Sequence, residues 1–153
     1  MNPLQKSLHL AFYQPDMPQN MGAAMRLCAC LDVGMEVIDP VGFAWKDREF
    51  RRSGMDYIDH VDLTRHTSWD SFRKTFKNNR IILLTTKADL PYTDFEFQPG
   101  DVLLCGSESS GVPADVHEFC KDQVTIEMHA QCRSLNVINA ASMILGEAIR
   151  QLK

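Results

Sequence analysis

Two uninterrupted apolar runs, IILLTT (81–86) and DVLLCG (101–106), constrain this chain more than any other feature. A strand with one wet face alternates apolar and polar residues, whereas a strand covered on both faces is apolar throughout, as in the middle of a parallel sheet. Parallel neighbours need long crossovers, and helix-like segments stand ready to supply them. LHLAFYQ (8–14) is expected to be a strand leaving at Pro15, followed by a helix in QNMGAAMRLCACL with Asn20 as its N-cap and Met25, Leu27, Cys28 and Leu31 on its apolar face. MEVID (35–39) reads as a strand stopped by Pro40, Asp47 to Met55 as a helix ended by Gly54, and Ile58 to Val61 as a third strand. Thr67 or Ser68 caps a helix through Asn78 that carries Trp69, Phe72 and Phe76 at helical spacing. After the two apolar runs come a short helix over 113–120, a strand QVTIEM (123–128) and the longest helix, 134–152, with Ser134 as its N-cap. This alternation predicts an α/β fold, a mostly parallel sheet with helices on both faces, in a single domain spanning 1–153.

A chain of 153 residues can bury a core without staples. Its five cysteines (28, 30, 105, 120 and 132) have no zinc-type spacing, so they read as reduced thiols and no metal is expected. No window approaches the ~18 apolar residues of a membrane span, and no targeting segment stands out. A cytoplasmic protein without a membrane partner is expected.

In open α/β sheets ligands collect beyond the carboxyl ends of the strands. Three such loops carry chemistry: PQNMGAAMR after the first strand, GSESSGVP after DVLLCG, and MHAQCRSLN after QVTIEM. In the second, Gly106 and Gly111 bracket small hydroxyl residues, which lets backbone N–H groups approach a ligand. It is no P-loop, since Val112 and Pro113 stand where lysine and Ser/Thr would touch phosphate and magnesium, and no hydrolase elbow, since Glu108 stands in the serine position. Asn136 offers a donor and an acceptor, suited to a sugar hydroxyl, although a solvent-facing amide looks the same in sequence. Arg26 interrupts an apolar helix and reads either as a functional cation or as a side chain snorkelling to water. The five histidines show no pairing and receive no role.

Taken together, the loops resemble the three motifs of the SPOUT class of RNA methyltransferases: N-x-G-N-x-x-R-L-C as NMGAAMRLC (20–28), G-x-E-x-x-G-x-P as GSESSGVP (106–113) and R-S-x-N-x-x-x-A as RSLNVINA (133–140). The compact subfamily that 2'-O-methylates the wobble nucleotide of tRNA, cytidine or uridine 34, is most similar; DPVGFAWKDREFRRSGMDY (39–57) and LLTTK (83–87) look like its signatures, and the likeness runs from about Leu8 to Leu152. The resemblance implies a C-terminal deep trefoil knot, a homodimer, and S-adenosyl-L-methionine held bent in the knot. By motif position it implies Leu84, Gly106, Ile126 and Ser134 as cofactor contacts, with Thr85, Ser107, Met128 and Leu135 beside them. It further implies Arg26 as the group acting on the ribose 2'-hydroxyl, Asn20, Ser134 and Asn136 as positioning ribose and phosphate, and Glu108 as bracing the loop. The second asparagine of the first motif is Ala23 here, a departure that bears on substrate preference. Alternatives are an rRNA 2'-O-methyltransferase of the same class and a knotted RNA-binding protein without turnover; a hydrolase lacks a positioned base.

The net charge of -4 argues against a uniformly basic nucleic-acid binder. Its distribution differs: residues 41–90 hold 10 Lys/Arg against 7 Asp/Glu, a balance of +3, while the remainder holds 6 against 13. Arg48, Arg51 and Arg52, within the signature segment, are the expected contacts to the tRNA anticodon loop.

Overall fold

The computed structural model describes residues 6–52 and 56–153. In chain order the elements are β1 (Leu8–Tyr13), α1 (Pro18–Leu31), β2 (Gly34–Ile38), α2 (Asp47–Arg52), a 3-10 turn (Asp56–Asp59), β3 (Leu63–His66), α3 (Trp69–Thr75), β4 (Ile81–Leu84), a second 3-10 turn (Tyr92–Asp94), β5 (Asp101–Cys105), α4 (Ala114–Phe119), β6 (Asp122–Val124) and α5 (Val137–Leu152). The strands form one six-stranded sheet in the order β3-β2-β1-β5-β4-β6, with every pair parallel.

The apolar runs are explained by what lies on either side. Successive strand residues point to opposite faces. Leu8, Leu10 and Phe12 of β1 join Met21, Met25 and Cys28 of α1 and Ala141, Ile144, Leu145 and Ala148 of α5 in one core. Ala11 and Tyr13 join Phe72 of α3 and its C-cap Phe76, Val116 of α4 and Leu83, Val102 and Leu104 of the sheet in the other. Each buried Leu or Phe contributes roughly 1.5–3 kcal/mol, so neither face of these strands tolerates polar substitution.

Several boundaries differ from expectation: α3 ends at Thr75 with Phe76 as its C-cap rather than at Asn78, β4 ends at Leu84, and α5 starts at Val137. The third strand is Leu63–His66, and the residues just before it, Asp56–Asp59, form a 3-10 turn. LTRH is an edge strand with polar residues, so it lacks the apolar signature of the inner strands. The last strand ends at Val124, because Thr125 leaves the ladder to pair with Leu90 and Tyr92 through its N–H and carbonyl. The second helix is described as Asp47–Arg52, and its expected continuation through Gly54 to Met55 lies outside the described residues. The cap of α3 is as expected, with the Ser68 hydroxyl accepting from the Ser71 N–H at 3.0 Å.

The histidines contain a feature that sequence reading passed over. Glu36 of β2, 1% exposed, accepts hydrogen bonds from His66 Nε2 at 2.8 Å and His9 Nδ1 at 3.2 Å, joining β3, β2 and β1 beneath α3. Burial pushes the Glu36 carboxyl up, but the hydrogen bonds from His66 and His9 and the attraction of both rings outweigh it and hold it below its usual 4.5. A depressed carboxylate contributes stability above its unfolded value and loses it as pH falls through the folded one. Unfolding in urea should therefore show wild-type stability declining below about pH 4.5, a slope that Glu36→Gln makes shallower but does not abolish, because Asp16, Asp59 and Glu147 are also held low. Glu36→Ala, which strands two buried rings, should cost roughly 3 kcal/mol near neutral pH, at ~1–3 kcal/mol for each unsatisfied group.

Candidate active site

The strand order reverses between β1 and β5, and the crevice beyond their carboxyl ends is where an open α/β sheet gathers ligands. A cavity of about 520 Å³ opens there, walled by the ends of β4, β5 and β6, the loop after β5 and the start of α5. All eight expected cofactor residues line it: Leu84, Thr85, Gly106, Ser107, Ile126, Met128, Ser134 and Leu135.

The loop after β5 owes its shape to its two glycines. Ser107 and Gly111 exchange both backbone hydrogen bonds, at 2.9 and 2.8 Å, closing the loop into a narrow hairpin. A Cβ on Gly106 would lie 2.8 Å from the Cα and carbonyl carbon of Gly111, and Gly111 itself adopts a left-handed φ of 66°. The first position thus requires glycine for space and the second favours it for conformation.

Glu108, at the tip of this hairpin, ties the three motif loops together. Its Oε1 accepts from the Asp16 N–H at 2.9 Å and its Oε2 from Asn20 Nδ2 at 2.9 Å, while Asn136 Nδ2 donates to Asn20 Oδ1 at 3.2 Å. Asn136 Oδ1 in turn accepts from the Ile138 and Asn139 N–H groups at 2.8 and 3.2 Å. Both oxygens of Glu108 thus accept from the segment after β1, and Asn20 Nδ2 also lies 3.7 Å from Met17 Sδ.

That arrangement corrects two caps. Asn20 lies inside α1, which is capped by Met17 with Pro18 at its first position; the Asn20 amide faces Glu108 instead. Ser134 lies before α5, whose cap is Asn136. Both residues line the cavity, as do Glu108 and Asn136.

The remaining expected residues lie outside the lining. Arg26 is six residues beyond Asn20 on α1, about 120° around the helix and ~9 Å along it, and is exposed. Its guanidinium carbon is 5.5 Å from the centroid of the Tyr57 ring. Arg51 donates from Nε and Nη2 to Asp59 at 3.3 and 2.7 Å, so it braces the first 3-10 turn. Arg48 and Arg52, both exposed, have no ion pair among the described residues. Lys46, Arg65, Arg73 and Arg80 are also paired, which leaves Arg48, Arg52, Lys74, Lys77 and Lys87 as the unpaired cations of the basic middle segment among the described residues.

Sequence reasoning did not single out Cys105, Val124, Ala140 and Ile144 as the apolar floor of the cavity. Ala140 and Ile144 stand four apart on α5, a helical spacing that marks a shared face but not which face meets a ligand. Burial pushes the Cys105 thiol far up, with Cys28 and Glu108 adding to it, and burial carries Cys28 up to about 12. Neither is a thiolate at neutral pH, and neither can act as a nucleophile.

Comparison with known proteins agrees with these motifs. The model of the SpoU rRNA Methylase family matches residues 7–146. A tRNA (cytidine(34)-2'-O)-methyltransferase from Beijerinckia indica is 54% identical over 145 residues, covering 94% of this chain and 91% of that protein. A solved structure described as giving insights into the 2-OH methylation of C/U34 on tRNA has a TM-score of 0.89 at 36% identity, covering 95% of each chain. The SpoU methyltransferase AviRb from Streptomyces viridochromogenes, solved in complex with the cofactor AdoMet, shares the fold with a TM-score of 0.86 at 24% identity, over 99% of this chain and 63% of that one. With three ordered motifs meeting at one cavity and a family match over residues 7–146, the chain belongs to the SpoU methylase family.

Proposed function

We propose that this chain is an S-adenosylmethionine-dependent tRNA 2'-O-methyltransferase acting on the ribose of the wobble nucleotide, cytidine or uridine 34. The observation that carries the reading is the convergence of the loops after β1, β5 and β6 on one cavity, through the bonds of Glu108, Asn20 and Asn136. Relatives bearing that activity align over nearly the whole chain.

The cavity suits the cofactor in size and chemistry. About 520 Å³ lies within the usual range for small-molecule sites. Leu84, Ile126 and Leu135 supply an apolar slot for a base, and the glycine-shaped hairpin at Gly106 brings backbone groups close to a ribose, with Ser107, Thr85 and Ser134 as hydroxyl partners. S-adenosylmethionine, when bound, supplies an electrophilic methyl group on a sulfonium. The chain must then hold a ribose hydroxyl in line and stabilise its oxygen as the proton leaves. Arg26, which does not line the cofactor cavity, is the residue we assign to the second substrate. A guanidinium keeps its proton in water, so its role is that of a cation beside the developing alkoxide rather than a base. Asn20 and Asn136 position ribose and phosphate in this reading, with Glu108 bracing Asn20 directly and Asn136 through it.

Thr125 pairs with Leu90 and Tyr92, and Gln151 near the end of α5 bonds the backbone of Phe95 and Phe97. The C-terminal segment thus bonds the 85–100 connection at two points, which supports the family's trefoil knot. Exposed Met17, Leu135 and Met143, with open space at Gly146 on α5, support a homodimer.

Arg48 and Arg52 are the cations free to meet phosphate. Replacing both with alanine should weaken tRNA binding and lower the slope of log affinity against log salt by up to about 2, read by filter binding. The function itself is tested with labelled S-adenosylmethionine and separate tRNA and rRNA fractions. Label in tRNA is expected, and label confined to rRNA would replace this reading with an rRNA-directed enzyme.

A further inference from the structure

Four arginines lie over aromatic rings among the described residues, and three of them, Arg65, Arg73 and Arg80, also pair with a carboxylate. Arg65, Arg80 and Arg150, like Arg51, each donate from Nε and Nη2 to a carboxylate. The Arg26 side chain makes no hydrogen bond and no ion pair among the described residues; what it meets is the ring of Tyr57. The difference matters chemically. A carboxylate partner consumes guanidinium donors and offsets the charge, whereas an aromatic face attracts the cation from above its plane and leaves the edge donors and the full charge available.

Tyr57 is itself well anchored. It belongs to the 3-10 turn between α2 and β3, where its carbonyl accepts from the His60 and Val61 N–H groups at 2.9 and 2.8 Å. The Arg51–Asp59 pair ties that turn to α2, and the half-buried Tyr57 ring packs against the core shared by β1, α1 and α5. A rigid ring on a braced turn therefore lies beside a flexible side chain that otherwise has no fixed partner.

We propose that Tyr57 is a positioning residue for Arg26: its ring face holds the guanidinium in place for the ribose oxygen without using a donor or cancelling the charge. The inference rests on the role assigned above to Arg26 and adds a residue through which that role is set. It also gives the Arg51–Asp59 pair a function, as the brace that keeps the ring in position.

The test is methyl transfer to tRNA at saturating cofactor, alongside calorimetric cofactor affinity and the thermal midpoint of each variant. Tyr57→Leu should lower kcat by about tenfold with cofactor affinity within about twofold, since small displacements of a reacting group cost up to ~10²-fold. Tyr57→Met should do the same if the leucine variant folds poorly, and Tyr57→Phe should recover most of the lost rate. In an Arg26→Ala background Tyr57→Leu should cost nothing further. Full activity of Tyr57→Leu, a loss that multiplies with that of Arg26→Ala, or a phenylalanine variant as slow as leucine would each overturn the proposal. A wild-type protein that transfers no methyl to tRNA would overturn the functional reading and this proposal together. An active wild type with an equally active Arg26→Ala would overturn only the role of Arg26 and the inference built on it.

Discussion

Arg26→Ala is expected to lower kcat for methyl transfer by at least about 10²-fold while leaving the Kd for S-adenosylmethionine within about twofold of wild type, because removing one preorganised donor to a developing oxyanion costs ~10²–10³ in rate. The asymmetry follows from position. Arg26 lies outside the cavity lining and about 120° around α1 from Asn20, so its loss leaves the cofactor's contacts intact. Its exposure also means that truncation creates no buried void, and folding should be little affected. Arg26→Lys keeps a charge without the planar fork and should fall between alanine and wild type. Single-turnover rates with calorimetric titration of the cofactor separate the two quantities. Equal losses in rate and cofactor affinity would show that Arg26 acts through the shape of the cavity.

The second large effect is expected at the other substrate. Gly106→Ala places a Cβ 2.8 Å from backbone atoms of Gly111, which cannot step aside because Ser107 and Gly111 are locked by two mutual hydrogen bonds. The hairpin must open, Glu108 moves with it, and the bonds to Asp16 and Asn20 are disturbed together. Cofactor affinity should fall by about 30-fold or more, with roughly 1–3 kcal/mol of stability lost to overpacking. Gly111→Ala is the comparison. Nothing lies within 4 Å of the added Cβ, so only the left-handed φ is strained, at about 1–2 kcal/mol, and cofactor affinity should drop less. If Gly111→Ala were the more harmful of the two, backbone conformation and not close approach would govern the loop.

Most of the sheet was legible because its inner strands are buried on both faces. IILL and DVLLC announce themselves by composition, and β1 does so nearly as well. The edge strand LTRH was displaced to 58–61 because half-covered strands share their polar residues with turns. The caps failed for a related reason. Asn20 and Ser134 have the right chemistry to cap a helix, but the Asn20 amide is taken by Glu108, 88 residues away, and Asn136 serves α5 in place of Ser134. Tertiary demand overrode local preference, and no local pattern reports such a bond. The His9–Glu36–His66 cluster escaped for the same cause: its members are 27 and 30 residues apart and meet only when β1, β2 and β3 align.

The site was legible to the extent that it is made of loops with specific chemistry. Motif positions placed eight residues that line the cavity, along with Asn20, Glu108 and Asn136. Its apolar floor of Val124, Ala140 and Ile144 could not be separated from ordinary core residues, since both are apolar and only the fold decides which ones border a void. The basic segment changed most. Arg51 binds Asp59 and so supports the turn that carries Tyr57, which leaves Arg48 and Arg52 as the stronger candidates for phosphate contact.

The central claim is that the methyl acceptor is the 2'-hydroxyl of nucleotide 34. It is tested most directly by presenting the protein with labelled S-adenosylmethionine and two synthetic tRNAs that differ only in having ribose or 2'-deoxyribose at that position. About one methyl per molecule of the first is expected, recovered as a 2'-O-methylated nucleoside from position 34, and none in the second. Equal labelling of both would contradict it.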